Sequence, residues 1–431
     1  MGAHHRNVSS SCSITPIIVF LVLGAAWVLI FDTQRALAPA VLHLVPAAPT
    51  STAYAAGAGT QMWQRWEAIP GSHPLCDADY LRAQFAAAPR PEQHPGAFAF
   101  SGSRPTAAGI GMIGIYPKEA LQVADPAAPI PKGDYGPVLA PRPRLLKRFR
   151  EHFLAQDKHF FSPYGIDYVL LLQEGSGIDC ALLDIFIGFG WSLAGGGAVT
   201  PCSAPTLPGT AFGERNASGV YRTARGTRAV VLARNFALPR YVQRNPALLD
   251  DPTWRTCGFR MSISYNLFTA AYVHHAFVEP ALDAYDATFK VDVDVVFSGP
   301  LPENPLERLR GCSVAHVGVL DHESCNVGAR EAVVRFGELT GRPPASLTHG
   351  WFQKGDFFRG EFNAGLSHII RSPGNTILHT WLYECNEGFF RTRWGDQAVY
   401  ALFFGYWRDI PDVRNNSEVC DFSGWPLKQS R

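Results

Sequence analysis

The chain has 431 residues, 47% of them hydrophobic and 12% aromatic, which is ample for a large core and long for one small domain. Lysine and arginine (38) nearly cancel aspartate and glutamate (37), leaving a formal charge of +1. That balance excludes binding to nucleic acid or to an anionic membrane surface through bulk charge, so partners have to be sought in local sites.

Ile14 to Phe31 carries no charged residue and is just long enough to span the hydrocarbon region of a bilayer. Arg6 precedes it and Arg35 follows, while His4 and His5 lean towards a cytosolic N-terminus. A cleaved signal peptide is the other reading, with Ala36, Ala38 and Ala40 as the small-residue cleavage site. On the first reading, residues 1–13 are a cytosolic tail and 14–31 a signal anchor. Residues 32–105, rich in Ala, Pro, Gly and Ser, form a stem, and 106–431 a lumenal folded domain. Cys76 and the segment Ala78–Ala87 mark a folded patch within the stem.

Nine cysteines are present, and all but Cys12 follow the apolar run. Eight cysteines without a Cys-x-x-Cys spacing suit disulfides in an oxidising lumen rather than zinc. Asn216-Ala217-Ser218 and Asn415-Asn416-Ser417 are glycosylation acceptors that would face the same lumen, whereas Asn7-Val8-Ser9 would lie on the cytosolic side.

The folded domain opens on a strand within Ala107–Tyr116. Arg144 to Phe161 reads as an amphipathic helix, with Leu145, Phe149 and Phe153 at i, i+4 and i+8 and basic residues on the other face. Tyr168–Leu172 is a continuous apolar run, as in a buried parallel strand. Strand, helix, strand is the alternation of an α/β fold. Gly188–Gly213 is loop material, Ala229–Ala233 another strand, and Tyr265–Val278 a helix. Phe289–Phe297 reads as one strand, followed by a long, mostly loop-like region and an aromatic-rich stretch from Trp381 to Trp407. Trp381, Tyr383, Phe389, Phe390 and Trp394 are most simply core. His274-His275 and Asp321-His322-Glu323 read as surface or turn residues.

The chemistry concentrates in Phe289–Phe297, where Asp292 and Asp294 interrupt an apolar run. Buried carboxylates demand partners. An Asp-x-Asp near a strand's end places hard oxygen ligands at the carboxyl edge of a sheet, where open α/β sheets bind ligands. Such oxygens suit Mg²⁺ or Mn²⁺ holding substrate phosphates. Solvated carboxylates on a strand edge are the plain alternative.

Three segments are similar to the fungal-type α-1,2-mannosyltransferases of the secretory pathway. Ser264-Tyr265-Asn266 opens a helix that leads through Tyr285 to Asp292-Val293-Asp294, where the family has Glu-Pro-Asp-Val. Trp351-Phe352-Gln353-Lys354-Gly355-Asp356 resembles its Asn-Phe-Glu-Ile-Gly-Asp, and Arg393-Trp394-Gly395-Asp396-Gln397-Ala398-Val399 resembles its Arg-Trp-Gly-Asp-Ala-Pro-Val. The resemblance covers Gly258 to Tyr406. It departs where Gln353 replaces a candidate nucleophilic Glu and Tyr400 replaces a metal-binding His.

The resemblance implies a GT-A-like nucleotide-diphospho-sugar transferase fold in a single catalytic domain, behind a membrane anchor and stem. It implies transfer of a hexose with retention, mannose from GDP-mannose, to a glycan or glycoprotein hydroxyl. Asp292 and Asp294 would hold Mn²⁺ or Mg²⁺. Tyr265, Asn266 and Asp294 would contact the nucleotide sugar. Asp396 would be an acceptor-side base or a second metal ligand, or simply cap a helix running from Gln397, and Gln353 would face the sugar. His349 and His379 are candidates to replace the missing ligand, against the plainer reading of each as an ordinary hydrogen-bonded residue. The implied setting is the Golgi or ER membrane, as a single-pass type II protein. Two other readings stay open: the same fold with another donor such as UDP-galactose, or a catalytically silent glycan-binding protein.

Overall fold

In a computed structural model, the described residues are 71–88, 106–113, 142–173, 178–201, 217–234, 238–245, 247–248, 256–257, 259–260, 269–270, 273, 278–310, 312, 314–316, 319–320, 328–344, 357–358, 362–392, 394, 396–407 and 419–429. All of them belong to one compact unit, Ala58–Arg431. The apolar run 14–31, most of the stem, and Tyr265, Asn266, His349 and Gln353 lie outside the described residues. No helix among the described residues is long and apolar enough to cross a membrane.

The elements run in this order: α1 (Ala78–Ala87), β1 (Ala107–Ile113), α2 (Arg142–Gln156), β2 (Asp167–Gln173), α3 (Asp179–Gly188), β3 (Ser192–Leu193), β4 (Gly219–Arg222), β5 (Arg228–Arg234) and α4 (Arg240–Arg244). The short β6 (Thr256–Cys257) and β7 (Phe259–Arg260) then pair with each other, before β8 (Ala287–Val291) and β9 (Val295–Phe297). The last part holds α5 (Pro305–Leu309), β10 (Val314–His316), β11 (Val319–Leu320), α6 (Ala329–Thr340), β12 (Phe357–Phe358) and β13 (Phe362–Leu366). It closes with α7 (Ser367–Ile370), α8 (Pro373–Cys385), α9 (Gly388–Arg391), α10 (Asp396–Trp407), β14 (Val419–Asp421) and β15 (Leu427–Gln429).

Nine strands form one mixed sheet in the order β14-β10-β13-β8-β1-β2-β5-β4-β3. Its centre, β8-β1-β2-β5, is parallel, and β13 and β4 flank that centre as antiparallel strands. Side chains alternate between two buried clusters, one on each face. Ile110, Met112, Val169 and Leu171 meet α1, α6, α8, α9 and α10 on one face. Tyr168, Leu170, Phe289 and Val291 meet α2 and α3 on the other.

Glycines in β1 make room for that second layer. A side chain at Gly109 would collide with the ring of Phe161, and one at Gly111 with the Tyr168 hydroxyl. The Gly-Ile-Gly-Met alternation therefore leaves one face bare for aromatics arriving from α2's end and from β2. Phe160, just beyond α2, wedges between Phe289, Phe297 and Phe362 at centroid distances of 5.2, 5.1 and 5.3 Å. Such aromatic pairs add about 0.5–1.5 kcal/mol each beyond their burial.

Three expectations need correction. Phe289–Phe297 is two strands: β8 stops at Val291, β9 starts at Val295, and β9 pairs with β15 outside the main sheet. The region after it is not mostly loop, since α6 buries Ala332, Val333, Phe336 and Thr340 on one helical face and α8 runs for 13 residues. Residues 71–88, assigned to the stem, pack into the core. Asp77 caps α1 through bonds from the Asp79 and Tyr80 amides, and Leu81 and Phe85 are buried against Phe336 and Trp407. A disulfide between Cys76 and Cys385 ties this segment to α8 across 309 residues of chain. A second, Cys312–Cys420, spans 108 residues. Loops of that length gain on the order of 4 kcal/mol in a chain-entropy account.

Gly111→Ala is expected to lower the unfolding free energy by about 1–3 kcal/mol through overpacking against Tyr168. Guanidinium unfolding with an unchanged slope and a lower midpoint checks it.

Candidate active site at the carboxyl edge of the sheet

The Asp-x-Asp sits where β8 leaves the sheet. The amide of Val295 donates to the carbonyl of Asp292 at 2.9 Å, closing a tight turn over residues 292–295. Gln156, fully buried at the end of α2, donates its side-chain Nε2 to the carbonyls of Asp292 (3.1 Å) and Val295 (2.8 Å). Val293 between the carboxylates is buried in the α2-side cluster. The turn is thus pinned at three points, and its two carboxylates stay partly exposed, Asp292 at 19% and Asp294 at 14% of the side chain.

Each carboxylate meets a cation. Lys290 Nζ lies 2.7 Å from Asp292 Oδ1, and Arg148 Nη1 lies 2.7 Å from Asp294 Oδ2. Lys290 is 5% exposed, on a strand position that faces the α6/α8 layer. Arg148 and Gln156 stand eight residues apart on α2, so one helical face delivers both the guanidinium and the amide clamp.

Polar residues continue across the sheet from Lys290. His316 of β10 pairs with Asn363 of β13, which pairs with Lys290, so the three share one face; all are buried. At the end of β5, Arg234 donates Nε and Nη2 to the two oxygens of Glu279 at 2.6 and 2.8 Å. Glu279 also accepts from the Ala281 amide, which ties this edge to the segment leading into β8.

The donor set does not fit a divalent ion as it stands. Among the described residues, the two carboxylates and the two cations paired with them sum to no net charge. An ion at about 2.1 Å from a carboxylate oxygen would stand about 4 Å from an ammonium or guanidinium nitrogen. Two unit charges at that distance repel by about 4 kcal/mol at an effective dielectric of about 20, and a divalent ion doubles the figure. Among the described residues no three His, Cys, Asp or Glu side chains come together as a metal-holding group. Tyr400 packs in the apolar cluster on α10, and His379 is fully buried among the rings of Tyr383, Phe389 and Phe403.

The remaining sequence candidates fall as follows. Asp396 is the first residue of α10, and its side chain lies outside what is described. Trp381, Tyr383, Phe389, Phe390 and Trp394 are all core, as the sequence suggests. Tyr265, Asn266, Gln353 and His349 are outside the described residues, as are His274, His275 and Asp321-His322-Glu323. Lys290, Arg148, Gln156 and the Arg234–Glu279 pair escaped the sequence reading. A signal existed for Lys290, because a lysine inside Phe-Lys-Val next to an aspartate needs a buried partner. None existed for Arg148, one basic residue among several on its helix.

A cavity of about 580 Å³ lies at the opposite edge, where β1, β2 and β5 begin. It is lined by Tyr164, Asp167, Arg228, Tyr285 and Arg310 among others. Asp167 accepts from Arg228 (2.9 Å) and from the Tyr285 hydroxyl (2.8 Å). Burial, and next the Asp167 charge, push the Tyr285 phenol above its ordinary range. Ligand sites of open α/β sheets lie at the carboxyl ends of the strands, so the Asp292–Asp294 turn outranks this cavity as the active-site candidate.

Gln156→Leu keeps the bulk but withdraws both amide donations from the turn. It is expected to cost about 1–3 kcal/mol of stability, the penalty for unsatisfied buried carbonyls. Any nucleotide-sugar binding should weaken further than this thermal shift accounts for; calorimetry on the two proteins checks the pair of effects.

No protein-family model matches the chain, and no curated protein matches it in sequence. Among solved structures, the fold is similar to the mannosyltransferase Ktr4p from S. cerevisiae, with 11% identity, 77% of this chain and 77% of that chain covered, and a TM-score of 0.41. It is also similar to core-mannan synthase A (CmsA/Ktr4) from Aspergillus fumigatus in its Mn/GDP-form, at 11% identity, 78% and 77% coverage and a TM-score of 0.40. A further likeness is to mouse xyloside xylosyltransferase 1 in its apo form, at 10% identity, 74% and 85% coverage and a TM-score of 0.29.

Proposed function

We propose that the chain is a glycosyltransferase that takes a hexose from a nucleotide-diphospho-sugar and passes it to a hydroxyl of a glycan or glycoprotein. The observation that carries this reading is the Asp292–Asp294 turn, fixed at the carboxyl edge of a parallel β8 and accompanied by cationic side chains. Mannose from GDP-mannose is the donor favoured by the three similar segments around Tyr265, Gln353 and Asp396. We extend the proposal to a type II topology in the Golgi or ER, supported by the apolar run 14–31 and by the disulfides Cys76–Cys385 and Cys312–Cys420.

In the reaction, the bond between the sugar's anomeric carbon and the diphosphate breaks, and the electron pair stays on the phosphate oxygen. The acceptor hydroxyl bonds to that carbon and gives up its proton. Gln353, an amide, cannot form a covalent glycosyl intermediate. Retention at this site would instead have the departing diphosphate take the acceptor's proton on the same face of the sugar. The sequence pattern points to Mn²⁺ or Mg²⁺ at Asp292 and Asp294, but the donor set does not fit it, and no step is routed through the ion.

A panel of GDP-mannose and UDP-galactose, with glycan acceptors, tests the reading. GDP-mannose should be turned over, and Asp294→Asn should reduce transfer by at least about a hundredfold with little change in melting temperature, since it loosens the Arg148 guanidinium, whose charge stabilisation is worth several kcal/mol. Asp292→Asn should cost stability too, because it takes the carboxylate from the buried Lys290 ammonium. Gln353→Ala should lose no more than about tenfold, the worth of one hydrogen bond. Binding of glycans without turnover of any donor would favour the silent binding protein.

A further inference from the structure

We infer that Arg148 and Lys290 fill the role a divalent cation would have at the Asp292–Asp294 turn, so that donor binding and transfer need no metal and Arg148 meets the diphosphate directly. This rests on the glycosyltransferase reading above and concerns how the same site handles charge.

The pairs are built in. Lys290 is two residues from Asp292, on a strand and turn that Gln156 clamps, and only 5% of its side chain reaches solvent. Its ammonium is held 2.7 Å from Asp292 Oδ1, so the carboxylate carries its counter-charge within the fold. Arg148 is 21% exposed and comes from the same helix face as the clamp. The turn that presents the carboxylates is thus met by both cations, Lys290 from β8 and Arg148 from α2. A divalent ion that took an oxygen from each carboxylate would stand against both cations.

Arg148 has capacity to spare. It bonds Asp294 through Nη1, and a guanidinium carries five N–H donors in a planar fork that matches phosphate oxygens. Asp294 thus acts as a positioning residue that aims Arg148, and Asp292 as the counter-charge that keeps Lys290 buried. When the anomeric C–O bond breaks, the added negative charge on the diphosphate falls beside Arg148 until the acceptor's proton reaches the same phosphate oxygen. Atoms and electrons balance without any further reactant. Tyr400, the residue standing where the similar family has a metal-binding His, is 8% exposed within the apolar cluster on α10.

The test uses the purified lumenal unit with its disulfides intact. GDP and GDP-mannose are titrated by calorimetry in EDTA and in excess Mn²⁺, and Mn²⁺ uptake is followed separately by paramagnetic resonance without nucleotide. The wild type should bind GDP with affinities within about threefold in the two conditions and leave Mn²⁺ free up to about 1 mM, given the repulsion from the two cations. Arg148→Met should weaken GDP in EDTA by at least about tenfold, the worth of a lost charge-assisted contact, and should now respond to Mn²⁺ because Asp294 is released. Arg148→Lys, which keeps the charge and guards against a folding defect, should retain metal independence with a smaller loss. GDP binding by the wild type that EDTA abolishes, together with Mn²⁺ uptake lost in Asp294→Asn, would overturn the inference while leaving the glycosyltransferase reading intact. Absence of nucleotide binding in both conditions would instead sink that reading, and the diphosphate role of Arg148 with it.

Discussion

One buried amide decides what the Asp-x-Asp becomes. Gln156 Nε2 bonds the carbonyls of Asp292 and Val295, the first and last residues of a turn that also closes on itself through the Val295 amide. Without that clamp, Phe289–Phe297 has every feature of a single strand, and its carboxylates would alternate with valines along a ladder. With it, the chain leaves the main sheet after Val291, buries Val293, and starts a new pairing with β15. The Gln156 amide thus adds a side-chain donor to the carbonyls at both ends of the turn, one of which also accepts from the Val295 amide.

The clamp works only because α2 is held rigidly over the sheet. Its Phe149 and Phe153 are fully buried, and Phe160 just beyond its end touches β8, β9 and β13 at once. Gly109 and Gly111 thin β1 so that Phe161 and Tyr168 fit beneath. Packing on one face of the sheet thereby sets the position of charged groups at its edge. From the opposite face comes the complement, Lys290, a buried cation in line with Asn363 and His316. Each carboxylate of the turn thus meets its own cation, Arg148 from α2 on one side of the sheet and Lys290 from the face of β8 turned to the other.

Much of this was legible from the residues. The apolar run Tyr168–Leu172, the strand at Ala229–Ala233 and the Phe149/Phe153 spacing fall inside β2, β5 and α2 as read. The segment Ala78–Ala87 coincides with α1, although its packing into the core was not visible, because Leu81 and Phe85 in an Ala-rich stretch say nothing about a partner about 250 residues away. What failed had physical reasons. A turn set by a distant glutamine leaves only a weak local trace, since Asp-Val-Asp carries two residues that turns favour but neither Gly nor Pro. The α6 helix was missed although Ala332, Val333, Phe336 and Thr340 recur with helical period, its weak apolar content hiding the stripe. Cation partners of carboxylates are chosen by tertiary packing, so Arg148 looked like any basic residue on an exposed face.

The account stands or falls on where a nucleotide diphosphate binds. A crystal structure of the Ala58–Arg431 unit soaked with GDP locates it directly. The account predicts diphosphate density at the carboxyl edge of β8, within hydrogen-bonding reach of Arg148 and beside Asp292 and Asp294. Diphosphate at the other edge, in the cavity around Asp167, Arg228 and Arg310, would contradict it.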